Sequence, residues 1–137
     1  MQREPGWKAG GQIPRETDVI ATAIVDAAFA VHSALGPGLL ESVYESCLAY
    51  ELNERGLKVV RQATLPVVYR DLRTDAGLRL DLVVGDRVVV EVKAVEDLLP
   101  VHKAQVLTYL KLGGFRLGLL INFNVLRIKD GIERLAL

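Results

Sequence analysis

The chain has 137 residues with 17 basic and 17 acidic side chains, and half of its residues are apolar. This composition predicts one compact domain that needs no disulfide, and the single cysteine, Cys47, excludes an internal one. We expect a reduced, cytoplasmic protein without a membrane span, because wholly apolar stretches such as residues 88–90 are far shorter than the roughly 18 residues that a span requires. Zero net charge argues against binding to nucleic acid, but residues 58–137 carry 13 basic and nine acidic side chains and are therefore basic.

Two helices are predicted before any strand. Residues 1–15 contain several Gly and Pro residues and predict a flexible arm or leader, followed by a single domain at 16–137. Apolar residues recur every three or four positions from an expected N-cap at Thr17 to the turn GPG at 36–38, which predicts the first helix. After the turn, the same spacing predicts a second helix over residues 39–55.

The rest of the chain predicts mainly strands. Four short, Val-rich segments bounded by turn residues predict neighbouring antiparallel strands, at residues 57–62, 65–71, 78–84 and 87–94. A third helix is predicted from Pro100 to about Leu112, an apolar strand covered on both faces over 115–123, and a last short strand over 132–135. The order ααββββαβ, with that last strand after it, predicts an α/β fold with one mixed sheet flanked by helices.

Charged residues occur inside two of these strands. Asp81 lies between two leucines, and Glu91 and Lys93 follow three consecutive valines. Buried charges are costly unless they are paired or bind a metal. Because side chains alternate along a strand, Glu91 and Lys93 share a face, while Val92 points the other way with its carbonyl near the strand end. A half-buried salt-bridge cluster would also explain these residues.

The position of Asp81 relative to Glu91 depends on the hairpin that joins their strands. A three-residue loop, 85–87, places the two carboxylates opposite each other with Cβ atoms about 5 Å apart, which predicts a divalent-cation site. A two-residue turn at Gly85 and Asp86 suits the type II′ rule better but moves Glu91 to the other face. We favour the three-residue loop or a bulge, because the cation site requires both carboxylates on one face.

The helices carry further polar groups at regular spacing. His102, Gln105 and Tyr109 lie at i, i+3 and i+7 and form one polar stripe on the third helix. Glu41 and Tyr44, three residues apart, share a face near the start of the second helix. The helix dipole alone would favour a carboxylate in the first turn, and a packing role with a tethered hydroxyl would explain the tyrosine.

Several motifs follow one another along the chain: GLLESVY at 38–44, Asp81, EVK at 91–93, HKAQVLTYL at 102–110 and GLLINF at 118–123. Together they resemble the bacterial GxxExxY proteins, which are assigned to the PD-(D/E)XK nuclease superfamily. The resemblance extends from about residue 17 to the end and implies the restriction-endonuclease-like fold, a mixed central sheet with helices on both sides. Leu80 stands where this pattern often has a proline before the first acid.

The resemblance implies a nuclease that uses Mg²⁺, with Mn²⁺ as a substitute, to hydrolyse phosphodiester bonds. Lys93 is then the catalytic lysine, which orients or deprotonates the attacking water or contacts the phosphate. The expected metal ligands are Asp81, Glu91, the Val92 carbonyl and Glu41. The expected catalytic groups are Lys93, Glu91, Asp81 and Gln105. The expected substrate-binding residues are Gln105, Tyr109, His102 and Tyr44.

The expected substrate is nucleic acid, DNA rather than RNA, and the small surface of the domain leaves a homodimer open. The basic residues expected to contact phosphates are Arg70, Arg73, Arg79, Lys103, Lys111 and Arg116. The alternative is a catalytically silent module with the nuclease fold that binds nucleic acid or protein. That alternative predicts that divalent cations do not raise the melting temperature.

Overall fold

A computed structural model describes residues 11–137, so most of the flexible N-terminal segment predicted at 1–15 lies outside the described residues. The helices are α1 (Arg15–Leu35), α2 (Glu41–Glu54) and α3 (Pro100–Gly113). The strands are β1 (Val59–Tyr69), β2 (Leu72–Val84), β3 (Val88–Lys93), β4 (Leu117–Asn122) and β5 (Ile132–Ala136), the last preceded by a 3₁₀ turn at Ile128–Gly131. This mixed sheet flanked by helices confirms the predicted fold class, including the last short strand.

The five strands lie in the sheet in chain order, β1-β2-β3-β4-β5. Neighbouring strands are antiparallel except β3 and β4, which are parallel and are connected through α3. A parallel pair needs such a crossover, whereas β2 and β3 are joined by a short hairpin. The hairpin places the middle of β2 beside the C-terminal end of β3, at the edge where the chain leaves the sheet for α3.

Helices cover the two faces of the sheet and form separate cores. α1 and α2 pack on one face, where Val90 and Val92 of β3 are buried. α3 packs on the other face, where Val89 is buried together with Val106. Because side chains alternate along β3, Glu91 belongs to the face that α3 covers.

α1 is a core helix, although its length and composition alone would also suit a membrane span. One side of the helix, which includes Ala21, Ile24 and Ala28, is buried against the sheet and α2. The helix begins at Arg15 with Pro14 at the N-cap position. The N-cap predicted at Thr17 is therefore wrong, because this residue is buried inside the first turn.

The strands predicted at 57–62 and 65–71 are one continuous strand, β1, so three strands rather than four precede α3. A backbone distortion with a positive φ of 50° at Gln62 takes the place of the expected break. Pro66 lies where the register between β1 and β2 shifts. Since β1 is at the edge of the sheet and its ladder is irregular there, a residue without an N–H is tolerated.

Candidate active site

The hairpin between β2 and β3 has the three-residue register that the site requires. Val84 pairs with Val88, and the pairing continues to Leu82 and Val90. Gly85 and Asp86 have φ values of 60° and 58°, and the N–H of Arg87 donates to the Val84 carbonyl at 3.1 Å. Positive φ at both central residues is typical of a type I′ turn rather than the type II′ turn that Gly in first place suggested. Arg87 is then the extra residue that brings Asp81 and Glu91 together.

Asp81 and Glu91 lie one position beyond the last regular pair of this hairpin, and their side chains take over the hydrogen bonding between the strands. The Val92 N–H donates to Oδ2 of Asp81 at 2.9 Å, and the Asp81 N–H donates to Oε1 of Glu91 at 3.3 Å. Glu91 is 4 % exposed, while Asp81 is half-buried. The strands therefore separate around a carboxylate pair that faces α3.

The pair is electrostatically strained when no cation is bound. Burial and then the negative charge of Asp81 raise the pKa of Glu91 from 4.5 to about 9. The hydrogen bond from the Asp81 N–H and the positive charge of Lys93 lower it only in part. At neutral pH the Glu91 carboxyl is therefore protonated and shares a hydrogen bond with the Asp81 side chain.

Lys93 ends β3, two positions after Glu91, and Asn122 holds the chain that follows it. Lys93 pairs with Asn122 in the parallel register, and its carbonyl accepts from the Phe123 N–H at 2.9 Å. The buried Asn122 side chain accepts from the Val95 N–H at 3.0 Å and donates to the Val95 carbonyl at 2.8 Å. Asn122 is thus a positioning residue for this edge, and its sequence signal is a polar side chain at the end of an apolar strand.

Helix α3 presents two of its predicted polar residues to the carboxylate pair. Burial and then the charges of Glu91 and Asp81 raise the pKa of the Tyr109 hydroxyl, while a hydrogen bond with Gln105 and the charge of Arg79 lower it. Gly118 of β4 allows α3 to lie close to the sheet, because a Cβ at this position would be 2.8 Å from the Val106 side chain. Tyr109 therefore stands beside the pair, and Gln105 is hydrogen-bonded to Tyr109.

His102, the third residue of the stripe, has a structural contact. Its Nδ1 accepts a hydrogen bond from the Leu99 N–H at 3.0 Å, which caps the start of α3. The ring is half-buried. Its predicted substrate contact stays a prediction, and so does the Val92 carbonyl as a metal ligand.

Glu41 is not gathered with the other two carboxylates. Its Oε2 accepts from the Ala94 N–H at 3.2 Å, directly after Lys93. Within residues 11–137, no three His, Cys, Asp or Glu side chains lie close enough together to hold a metal ion. The structure therefore brings Asp81 and Glu91 together as a pair, while Glu41 of α2 lies at the same edge and bonds to the backbone; its role as a metal ligand stays a prediction.

Tyr44 is fully buried, so the predicted substrate contact is wrong. Its ring stacks on Phe123 with centroids 4.7 Å apart. The hydroxyl donates to the Gly36 carbonyl at 2.6 Å and accepts from the Leu39 N–H at 3.1 Å. Tyr44 thereby fastens the turn between α1 and α2 to the core.

Arg116 is also unavailable to a phosphate. It is 6 % exposed, and its guanidinium donates to the carbonyls of Leu137, Gln12 and Gly11. The side chain ties the two ends of the described chain together. Lys103, another expected phosphate contact, lies 3.3 Å from the carboxylate of Glu133 but stays partly exposed.

Comparison with known proteins gives one finding. The sequence model of a family described as the PD-(D/E)XK nuclease superfamily matches residues 18–135, which is most of the chain. No curated protein and no solved structure shows a significant match. The matched segment contains all the groups described at the sheet edge.

Proposed function

The chain belongs to the PD-(D/E)XK nuclease superfamily, and we propose that it is a nuclease that hydrolyses phosphodiester bonds in DNA with Mg²⁺ or Mn²⁺. The observation that carries the proposal is the hydrogen-bonded pair of the Asp81 and Glu91 side chains, with Lys93 two positions further along β3. The segment GLLESVY at 38–44 supports placing the chain in the GxxExxY branch of the superfamily.

The donor set fits a divalent cation. Two adjacent carboxylates repel each other, and here a proton on Glu91 relieves the repulsion. A hard dication bound by Asp81 and Glu91 would displace that proton, since oxygen ligands suit Mg²⁺ and the charge of the ion reverses the local electrostatics. When bound, the ion would supply Lewis-acid polarisation of the phosphate and activation of water.

The remaining groups bind and orient. Lys93 carries a positive charge beside Glu91 and is placed to hold the attacked phosphate or to orient a water molecule. Gln105 is exposed and hydrogen-bonded to Tyr109, so the two can position a phosphate oxygen from the side of α3. Asn122 keeps the end of β3 in place while substrate binds.

A catalytically silent module with the same fold is the second candidate. It is favoured by the hydrogen bonding, because no buried side-chain N or O atom within residues 11–137 lacks a partner. In this case the two carboxylates would only replace backbone hydrogen bonds that are missing between β2 and β3. The two candidates differ in their response to cations.

A cleavage assay and a thermal scan separate them. We expect the purified protein to cut DNA with Mg²⁺ or Mn²⁺ and not in EDTA, and Lys93→Ala to lower the rate at least 100-fold while the exposed control Lys129→Ala does not. The cation should stabilise the wild type by about 2.7 kcal/mol at 100 times its Kd, and Asp81→Asn should lose this effect. Uncut single-stranded, double-stranded and branched DNA and RNA, together with an unchanged melting temperature, would contradict the proposal.

A further inference from the structure

The β1–β2 hairpin extends beyond the sheet as an arm, defined here as residues 66–77. The ladder between β1 and β2 runs from the pair Val59 and Val84 to the pair Tyr69 and Leu72, whereas β3 pairs with β2 only at residues 82–84. Extending the register between β2 and β3 beyond its last pair places Lys93, the last residue of β3, opposite Arg79. The arm therefore projects from the edge of the sheet that holds the candidate active site.

The arm is a defined structure rather than a loose loop. Thr74 Oγ1 donates to the Val67 carbonyl at 3.1 Å and accepts from the Val67 N–H at 3.2 Å. A Cβ at Gly77 would overlap the Val67 side chain, so the two strands approach closely only because this residue is glycine. An isolated two-stranded ribbon is marginally stable in water, and these contacts hold its register.

The tip of the arm exposes side chains that suit an unpaired base. Tyr69 is 63 % exposed and Leu72, its cross-strand partner, 62 %. The guanidinium of Arg70 lies 5.3 Å from the centre of the Tyr69 ring. An aromatic ring with an arginine beside it is a surface on which nucleic-acid bases stack irrespective of sequence.

Arginines lie between the tip and the site, on both faces of the ribbon, because Arg73 pairs with Val68 and so points away from the face of Tyr69 and Leu72. Arg73 lies on the arm, with a weak 3.5 Å contact to Asp75, whose side chain is 92 % exposed. Arg79 is exposed at the base of the arm and close enough to Tyr109 to lower the pKa of its hydroxyl. Together with Arg70, these residues outnumber the acids Asp71 and Asp75 three to two.

We propose that the arm binds the nucleic-acid strand that enters the candidate active site, with an unpaired base on Tyr69 and with the phosphates of the strand passing the edge of the ribbon, where the long side chain of Arg73 reaches them from the other face, to Arg79 at the base. The proposal rests on the proposed function for the identity of the ligand. Tyr69 lies six positions beyond Ala63, which is near the level of the carboxylates, and six positions span about 20 Å at the rise of a strand. That length corresponds to roughly six stacked nucleotides.

The test measures DNA binding in EDTA, so that no cleavage interferes. The probes are a fluorescein-labelled 20-nucleotide single strand and its duplex, followed by fluorescence anisotropy at several salt concentrations. We expect Tyr69→Ser to weaken single-strand binding at least fivefold and duplex binding less. The matched control is Tyr50→Ser, which removes a tyrosine that is 66 % exposed on α2 and should change binding less than twofold.

Arginine variants test the phosphate contact separately. Arg73→Gln should lower the slope of log Kobs against log salt by about 0.7 for the single strand. Arg127→Gln removes the same charge from another exposed ion pair, with Asp130, and should leave the slope unchanged. Asp75→Asn, which frees Arg73 from its neighbour, should tighten binding two- to threefold.

The outcomes distinguish the arm from the nuclease. Binding that is equal in wild type, Tyr69→Ser and Arg73→Gln overturns the proposal about the arm, even if cleavage depends on Lys93. Selective loss of binding in the arm variants supports it, even if the protein cuts nothing. Melting temperatures within 2 °C of wild type establish that each variant is folded, as expected for roughly ±0.5 kcal/mol at exposed positions.

Discussion

Replacing Glu91 by glutamine should stabilise the cation-free protein, and by more at higher pH. In the wild type the folded state keeps a proton on Glu91, whose pKa is about 9, while the unfolded chain releases it near 4.5. Glutamine has the same shape, accepts from the Asp81 N–H through its oxygen, and donates to the Asp81 carboxylate through its amide. It therefore keeps the hydrogen bonds without needing a proton.

The size of the effect follows from proton linkage. Below pH 4.5 both states of the wild type are protonated and Glu91 has no influence. Between 4.5 and 9 the unfolded state binds fewer protons than the folded state, so the free energy of unfolding falls by about 1.4 kcal/mol per pH unit. The advantage of Glu91→Gln should therefore be about 3 kcal/mol at pH 7 and about 5 kcal/mol at pH 8.

Urea denaturation in EDTA at pH 5, 6, 7 and 8 measures this difference directly. The control is Glu51→Gln, a half-buried carboxylate paired with Arg55 on α2, which should stay within about 0.5 kcal/mol of wild type at every pH. A stability difference that does not grow with pH, or a Glu91→Gln protein that is less stable than wild type at pH 8, would refute the reasoning. Saturating Mg²⁺ should narrow the gap, because only wild type offers the second carboxylate.

Three further changes test other parts of the structure. Tyr44→Phe loses two hydrogen bonds and should cost about 1–3 kcal/mol in urea denaturation, yet leave DNA cleavage within twofold, which a substrate-binding residue would not. Gly118→Ala pushes Val106, and α3 with it, away from β4 and should cost about 1–3 kcal/mol while slowing cleavage, since Tyr109 moves with the helix. Asn122→Ala frees the chain after β3 and should lower both the melting temperature and kcat; an unchanged kcat would show that the clamp is only structural.

Local patterns predicted the elements well where one physical rule acted alone. Apolar spacing located α1 and α2, Pro100 marked the start of α3, and glycine and proline marked the helix ends to within a few residues. The break predicted inside β1 was wrong, because the ladder to β2 continues on both sides of Gln62 although this residue has a positive φ. That conformation is rare for a residue with a side chain, so no propensity indicates it. The side chain of Gln62 instead bonds to Glu45 of α2 at 2.7 Å.

The parts of the candidate site that are close together in sequence were predictable. The parts that depend on contacts between distant segments were not. The cost of burying charges and the alternation of side chains along strands predicted that Asp81, Glu91 and Lys93 lie at one edge of the sheet. The register of the β2–β3 hairpin supports this prediction. Tyr44 could not be assigned from helical spacing, because its stacking partner Phe123 is distant in sequence. Arg116 was misassigned for a similar reason, since its partners are carbonyls at both ends of the described chain.

The order of strands in the sheet also bears on how the protein folds. Asp81, the first member of the carboxylate pair, and Tyr109, which stands beside the pair, are 28 positions apart in the chain, within one hairpin and the helix after it. Only a short loop must close to bring them together, whereas the contact of Glu41 with Ala94 closes 53 residues. We expect the carboxylate pair to assemble early with β2, β3 and α3, and the docking of α1 and α2 to come later.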